Sequence, residues 1–324
     1  MEDSDKRLAT QIADDLWLLD TMYQGEPGVI ASYLLTGPDG LALVDVGSGA
    51  SVNQLLAGVR ESGFDPEQIQ HLVLTHVHLD HAGASGILTR LLPRAHVYVH
   101  RIGAPHLIDP TKLISSATRI YGDRMRQLWG EMEPVPAGRI TRLDDGAVLR
   151  VGSRTLTALY TPGHAVHHLA FHDAARREIF TGDVAGVRLQ GMDFVRPPTP
   201  PPDLSLEDWN ASLDRLAALD AVRLFLPHFG PATGVPEHFA QLRHHLAEWG
   251  ELLLPAIRDN APDATLASIL ATHADAQVAR ASHGMDEIAV RRYELATNYL
   301  MSAQGYARYY RKYHPELSQA AGAS

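Results

Sequence analysis

The stretch Leu72-Val73-Leu74-Thr75-His76-Val77-His78-Leu79-Asp80-His81 decides how this chain is read. Three apolar residues form a short strand, and the seven that follow carry four potential metal ligands. A strand ending in such a turn holds donors rigidly at a sheet edge and leaves one face open to a substrate. Residues two apart in an extended chain share a face, so the rings of His76 and His78 can reach one ion. Asp80 and His81 come where the chain turns into Ala82-Gly83-Ala84, which frees their side chains to reach a second. Neutral imidazoles with a hard carboxylate suit zinc, iron or manganese. Two histidines alone would read as chance; four donors in this order point to a metal centre.

Three later segments repeat the arrangement. Thr161-Pro162-Gly163-His164 follows Leu159-Tyr160, Thr181-Gly182-Asp183 follows Ile179-Phe180, and Pro227-His228 follows the strand that begins at Val222. Each places a donor at a strand end beside Gly or Pro, as expected of a site lying across the ends of a sheet.

Around these segments the first half of the chain alternates short strands with helices. Leu16 to Leu19, Val29 to Leu35, Leu41 to Val46, His71 to Thr75 and Val97 to Val99 read as strands. Val52, Leu55, Leu56 and Val59 fall at helical spacing, as does the run through Ile87, Leu88 and Leu91. Residues 101–138 break the rhythm: Tyr121, Met125, Leu128 and Trp129 sit at helical spacing, which predicts a helical insertion. Strands resume at Thr155 to Tyr160, Leu169 to Phe171, Glu178 to Phe180 and Val222 to Leu226. Arg196-Pro197-Pro198-Thr199-Pro200-Pro201-Pro202 is too proline-rich for helix or central strand and reads equally as a linker or a stiff wall beside the site. Beyond Pro236 everything reads as helix. The expected organisation is an α/β catalytic domain over 1–235 and a helical subdomain over 236–324.

Composition bounds the function. The 324 residues carry a formal net charge of −10 and no basic tract, which argues against a nucleic-acid partner. Cysteine is absent, which removes disulfides, thiolate metal sites and cysteine nucleophiles together. The acidic start Met1-Glu2-Asp3-Ser4-Asp5 lacks the apolar core of a signal peptide, and no apolar run nears the ~20 residues needed to span a bilayer. The cytoplasm is the expected location and a small molecule the expected partner; oligomeric state is not encoded in any pattern.

The combination T-H-x-H-x-D-H, T-P-G-H, T-G-D and a late P-H resembles the metallo-β-lactamase superfamily, in its glyoxalase-II-like dinuclear branch, over about residues 12–235. The resemblance implies a four-layer αβ/βα sandwich. It implies two divalent ions, with zinc expected and iron or manganese as alternatives. His76, His78 and His164 would hold one ion, Asp80, His81 and His228 the other, and Asp183 would bridge both. The implied chemistry is hydrolysis of an ester, thioester or lactone by a metal-bridging hydroxide, with Asp80 and Asp183 as the catalytic carboxylates. Two alternatives share the fold: a persulfide dioxygenase with one iron on His76, His164 and Asp183, and a phosphodiesterase or nuclease. Gly186 stands where many lactonases of the superfamily have a tyrosine, and nothing matches the basic groups of glyoxalase II. Tyr23, Tyr121, Met192 and Phe194 are expected substrate contacts. His168 is expected to support a ligand, His100 to pack, one of His244 and His245 to face inward, and His273, His283 and His314 to face solvent.

Overall fold

Leu41–Val44 is apolar and buried at every position because it lies deep in a sheet covered on both faces. In the computed structural model, which describes residues 7–282 and 286–318, this segment is the fourth of seven strands in sequential order. They are β1 (Ala9–Ala13), β2 (Leu16–Asp20), β3 (Ala31–Leu35), β4 (Leu41–Val44), β5 (Ile69–Val73), β6 (His96–His100) and β7 (Ile140–Leu143). Pairing is antiparallel from β1 to β4 and parallel from β4 to β7. Parallel neighbours require crossovers, and helices Val52–Glu61 and Ser85–Leu91 supply the first two.

The second sheet contains β8 (Val148–Val151), β9 (Arg154–Tyr160), β10 (Leu169–Asp173), β11 (Glu178–Phe180), β12 (Arg223–Leu226) and β13 (Gly230–Ala232), in the order β13-β12-β11-β10-β9-β8. Only β11 and β12 pair in parallel, across the crossover helix Leu206–Ala217.

Alternation along the strands separates two cores. Tyr33, Leu35, Ala42 and Val44 pack with Leu156, Ala158, Phe171 and Ile179 between the sheets. Leu34, Leu41 and Leu43 point the other way, onto Leu55, Val59 and Leu88 of the outer helices. The result is the α/β four-layer sandwich expected from the sequence. The C-terminal helices, beginning with Val235–Arg258 and Asp263–Ala281, join the inter-sheet core through Leu242, Trp249, Leu270 and Tyr306.

Several strand limits differ from the sequence reading, and the differences serve the site. The chain leaves the extended form at Asp45, whose φ of 55° is left-handed, so the strand stops at Val44 instead of Val46. The third strand starts at Ala31, not Val29; the Val29 carbonyl instead accepts a hydrogen bond from His228 Nδ1 at 2.9 Å. β1, β7, β8 and β13 were not anticipated. They are short, and their partly exposed or mixed positions lack a sustained apolar signal.

His238, in helix Val235–Arg258, is buried and donates from Nε2 to the Ala185 carbonyl at 2.7 Å. Burial pushes its pKa down from the usual 6.5 to about 4. The folded state therefore resists a proton that the unfolded chain accepts. The associated stability is complete above about pH 6.5 and is lost toward pH 4, by about 1.4 kcal/mol per pH unit. Urea denaturation of wild type and His238→Gln at pH 7.5 and pH 5 should show a wild-type loss greater by about 2 kcal/mol. Equal losses would show that His238 does not titrate in this window.

Candidate metal centre and substrate cavity

All seven residues expected as ligands converge at one end of the sandwich. His76 and His78 follow β5, Asp80 and His81 lie in the single turn Leu79–Ala82, His164 follows β9, Asp183 follows β11 and His228 follows β12. Their ligand atoms form three overlapping groups: His76, His78 and His164; His76, His81 and Asp183; and Asp80, His81 and His228.

In the first group His78 Nδ1 lies 2.9 Å from His76 Nε2 and 2.9 Å from His164 Nε2. Hydrogen bonds on the far sides of the rings set what faces inward. His164 Nδ1 donates to the Pro198 carbonyl at 2.8 Å, so its Nε2 is the atom left with a lone pair. His228 and His81 follow the same rule, through Val29 O and through Asp45 Oδ2 at 2.8 Å.

The group of Asp80, His81 and His228 is spaced differently. Asp80 Oδ2 lies 3.4 Å from His81 Nε2 and 3.3 Å from His228 Nε2. Asp183 Oδ1 lies 3.3 and 3.5 Å from the same two nitrogens. The other oxygen of Asp183 is 3.4 Å from His164 Nε2, so this carboxylate divides between the two groups. A tetrahedral ion with bonds of about 2.0–2.1 Å separates its donors by about 3.3 Å, close to these spacings. His81 Nε2, His228 Nε2 and Asp183 Oδ1 are buried without a hydrogen-bond partner among the described residues. Buried polar atoms left this way are costly, and a shared cation satisfies all three. The donor set thus fits metal ions on residue chemistry throughout, and on spacing in the half formed by Asp80, Asp183, His81 and His228.

Electrostatics divide along the same line. Burial holds His76 well below the ordinary imidazole range, depresses His164, and pushes His78 down to about 4, leaving all three neutral near pH 7. His81 and His228 are raised despite burial: Asp80, Asp183 and Asp45 act on His81, and Asp183 and Asp80 on His228. Those imidazoles in turn keep Asp80 and Asp183 ionised against the cost of burial. A cation entering this half would displace protons from the imidazoles.

Asp45 was missed in the sequence. Its carboxylate accepts from Thr75 N at 2.8 Å, Thr75 Oγ1 at 2.8 Å and His81 Nδ1 at 2.8 Å. It also stands at a strand end, in Val44-Asp45-Val46-Gly47, the same signal that marked the ligands. His168, as expected, supports a ligand. Its Nε2 accepts from the Asp183 backbone N–H at 3.0 Å while its Nδ1 pairs with Thr161 Oγ1 at 2.9 Å. Gly182 makes that contact possible, since a Cβ there would lie 2.5 Å from His168 Nε2 and φ is +54°.

Over the ligands opens a cavity of about 390 Å³ reached by His78, Asp80, His164 and Asp183. The insertion contributes Leu113, Ala117, Ile120, Tyr121 and Trp129, and Pro198 and Pro200 to Pro202 form a wall. Leu295, Asn298 and Met301 close the far side. Tyr23 and Tyr121 line this space; Tyr23 stacks on Trp129 and Tyr121 donates to Met301 Sδ at 3.0 Å.

Met192 and Phe194 do not line the cavity, which corrects the sequence reading. Phe194 is buried against His245 and Tyr293, and half-buried Met192 packs on the inter-sheet core, because their segment turns inward onto the C-terminal helices. His100 packs on Tyr160, and His245 is buried while His244 is exposed. His273 and His314 are half-buried beside Glu248 and Glu207 rather than solvent-facing; His283 lies outside the described residues.

Comparison with known proteins agrees with this fold. The family described as the metallo-beta-lactamase superfamily matches residues 25–228. A crystal structure of the metallo-beta-lactamase family protein TTHA1429 from Thermus thermophilus superposes with a TM-score of 0.67 at 26% identity, covering 93% of this chain and 94% of that one. The metallo-beta-lactamase fold-containing protein ST1585 of Sulfurisphaera tokodaii is 26% identical over 67% of this chain and 79% of its own length. An atrochrysone carboxyl ACP thioesterase of Aspergillus fumigatus is 30% identical over 60% of this chain, which spans half of that protein. Among the described residues no helix is long and apolar enough to cross a membrane. With the fold, the strand-end ligands and the family match in agreement, the chain belongs to the metallo-β-lactamase superfamily and is one of its hydrolases.

Proposed function

We propose that the protein hydrolyses a thioester, ester or lactone of an apolar acyl group, using two divalent ions, with zinc the best fit to the nitrogen-rich donors. The observation that carries this reading is the division of the Asp183 carboxylate between two ligand groups directly beneath the cavity. His76, His78 and His164 would hold one ion and Asp80, His81 and His228 the other. When bound, such ions lower the pKa of coordinated water to near 7 and polarise a carbonyl oxygen.

The remaining work falls to side chains of this chain. Asp80 has one oxygen between His81 and His228 and lines the cavity, so it can accept a hydrogen bond from the attacking water and fix its direction. Tyr23, Tyr121, Trp129 and the proline wall exclude bulk water and offer an aromatic surface to an acyl group. The thioesterase among the relatives supports acyl transfer to water, as does the resemblance to glyoxalase-II-like enzymes. A mononuclear iron centre would leave the complete Asp80, His81 and His228 group without a task, which disfavours the dioxygenase reading.

Metal quantification on purified protein, paired with anaerobic assays on thioesters, lactones and phosphodiesters, tests the proposal. Two equivalents of divalent metal and oxygen-independent acyl hydrolysis are expected. One iron with oxygen-dependent oxidation, or cleavage of phosphodiesters alone, would overturn it.

A further inference from the structure

The proline strap has two sides. Pro198 and Pro200 to Pro202 face the cavity, while the same strap is fixed against helix Tyr299–Tyr313. Gly305 allows this contact, since a Cβ there would collide with the Thr199 carbonyl oxygen. Arg308 Nε donates to the Pro202 carbonyl at 3.0 Å. One turn further, this helix carries Arg311 and Lys312, and with Arg308 they line an open groove of about 460 Å³. Pro201 lines both this groove and the cavity over the metal ligands. The carboxylate in the groove, Asp263, already accepts from Gln304 Nε2 at 2.9 Å. Three cations therefore stand together on a chain whose net charge is −10.

We infer that this groove binds the phosphate-bearing end of a small thiol carrier whose acyl thioester enters the cavity across Pro201. The inference rests on the acyl-hydrolase reading and narrows it to thioesters of phosphorylated thiols. Guanidinium and ammonium groups at helical spacing form charge-assisted hydrogen bonds to phosphate oxygens. A recess of this size suits a nucleotide-like headgroup better than the broad face of a carrier protein. In the reaction the thioester C–S bond breaks and a C–O bond to water forms. Water supplies the new carboxylate oxygen, one of its protons passes to the departing thiolate and the other to solvent, and no redox partner is needed.

The test compares one aromatic acyl group carried on coenzyme A, on N-acetylcysteamine and on a phosphopantetheinylated acidic carrier protein. For wild type, kcat/KM should favour the coenzyme A thioester over the neutral one, and the preference should shrink as salt rises. In the Arg308→Ala/Arg311→Ala/Lys312→Ala variant the coenzyme A to N-acetylcysteamine ratio should fall about tenfold, mainly through KM. The salt series needs only wild type, so it stands if the triple variant misfolds. A ratio near one that neither salt nor substitution moves overturns the groove but leaves the hydrolase. Preference for the carrier-protein thioester alone overturns the small-carrier assignment. Hydrolysis of none of the three while esters or lactones are cleaved overturns the thioester assignment and leaves the hydrolase; hydrolysis of no acyl substrate of any of these classes removes both readings.

Discussion

Asp183→Ala should lower metal content and reduce kcat/KM by about 10³-fold or more. No other side chain at the site has its two carboxylate oxygens aimed at different ligand groups: one faces His81 and His228, the other His164. Truncation removes a donor from both halves at once and leaves His81 and His228 with one carboxylate fewer to offset their burial. Asp183→Asn separates charge from shape, because the amide oxygen can serve only one half; it should retain more metal than alanine while remaining strongly impaired. Elemental analysis with steady-state kinetics checks both variants. Full metal content with undiminished turnover in Asp183→Ala would reject the bridging role.

Asp45→Asn should be the more selective lesion. In wild type the carboxylate accepts from Thr75 and from His81 Nδ1, which leaves His81 Nε2 bare toward Asp80 and Asp183. An amide placed to keep the Thr75 backbone bond turns its N–H₂ toward His81. The imidazole must then accept at Nδ1 and carry its proton on Nε2, where a ligand lone pair is required. The expected result is a 10–100-fold loss of affinity in the half formed by Asp80, His81 and His228, with activity partly recovered at high metal concentration. Asp45→Ala should in addition destabilise the fold by about 3 kcal/mol, since three buried donors lose their acceptor. A metal titration of Asp45→Asn that matches wild type would show that the carboxylate does not set the tautomer.

These two carboxylates also mark how far the chain could be read unaided. Asp183 was legible because Thr181-Gly182-Asp183 abuts an apolar run, as do the other ligand segments, so strand-end placement identified it locally. Asp45 carries the same local mark, but its meaning depends on His81, 36 residues away, and no single-strand pattern reports that pairing. The cavity walls were half legible. Helical spacing in the insertion placed Tyr121 on a helix, because an amphipathic face shows itself in sequence, and that helix lines the cavity. Phe194 gave no such signal: a lone aromatic in an irregular segment can face a pocket or a neighbouring helix, and here Tyr293 and His245 claimed it. The proline strap allowed two readings; its place along the cavity makes it a wall, and the tight approach at Gly305 packs it against the helix behind.

The ligands all sit on turns that leave the two sheets, whereas the surfaces above them come mostly from the insertion, the strap and the final helices, with Tyr23 added from the β2–β3 connection. Candidate ligands and cavity walls are thus carried largely by separate stretches of polypeptide. Combinatorial libraries confined to Leu113, Ile120, Leu295 and Leu128, which also lines the cavity, should yield clones with shifted acyl preference that still load metal normally. A scaffold partitioned this way is suited to directed evolution, since searching for new substrates need not risk the reactive core.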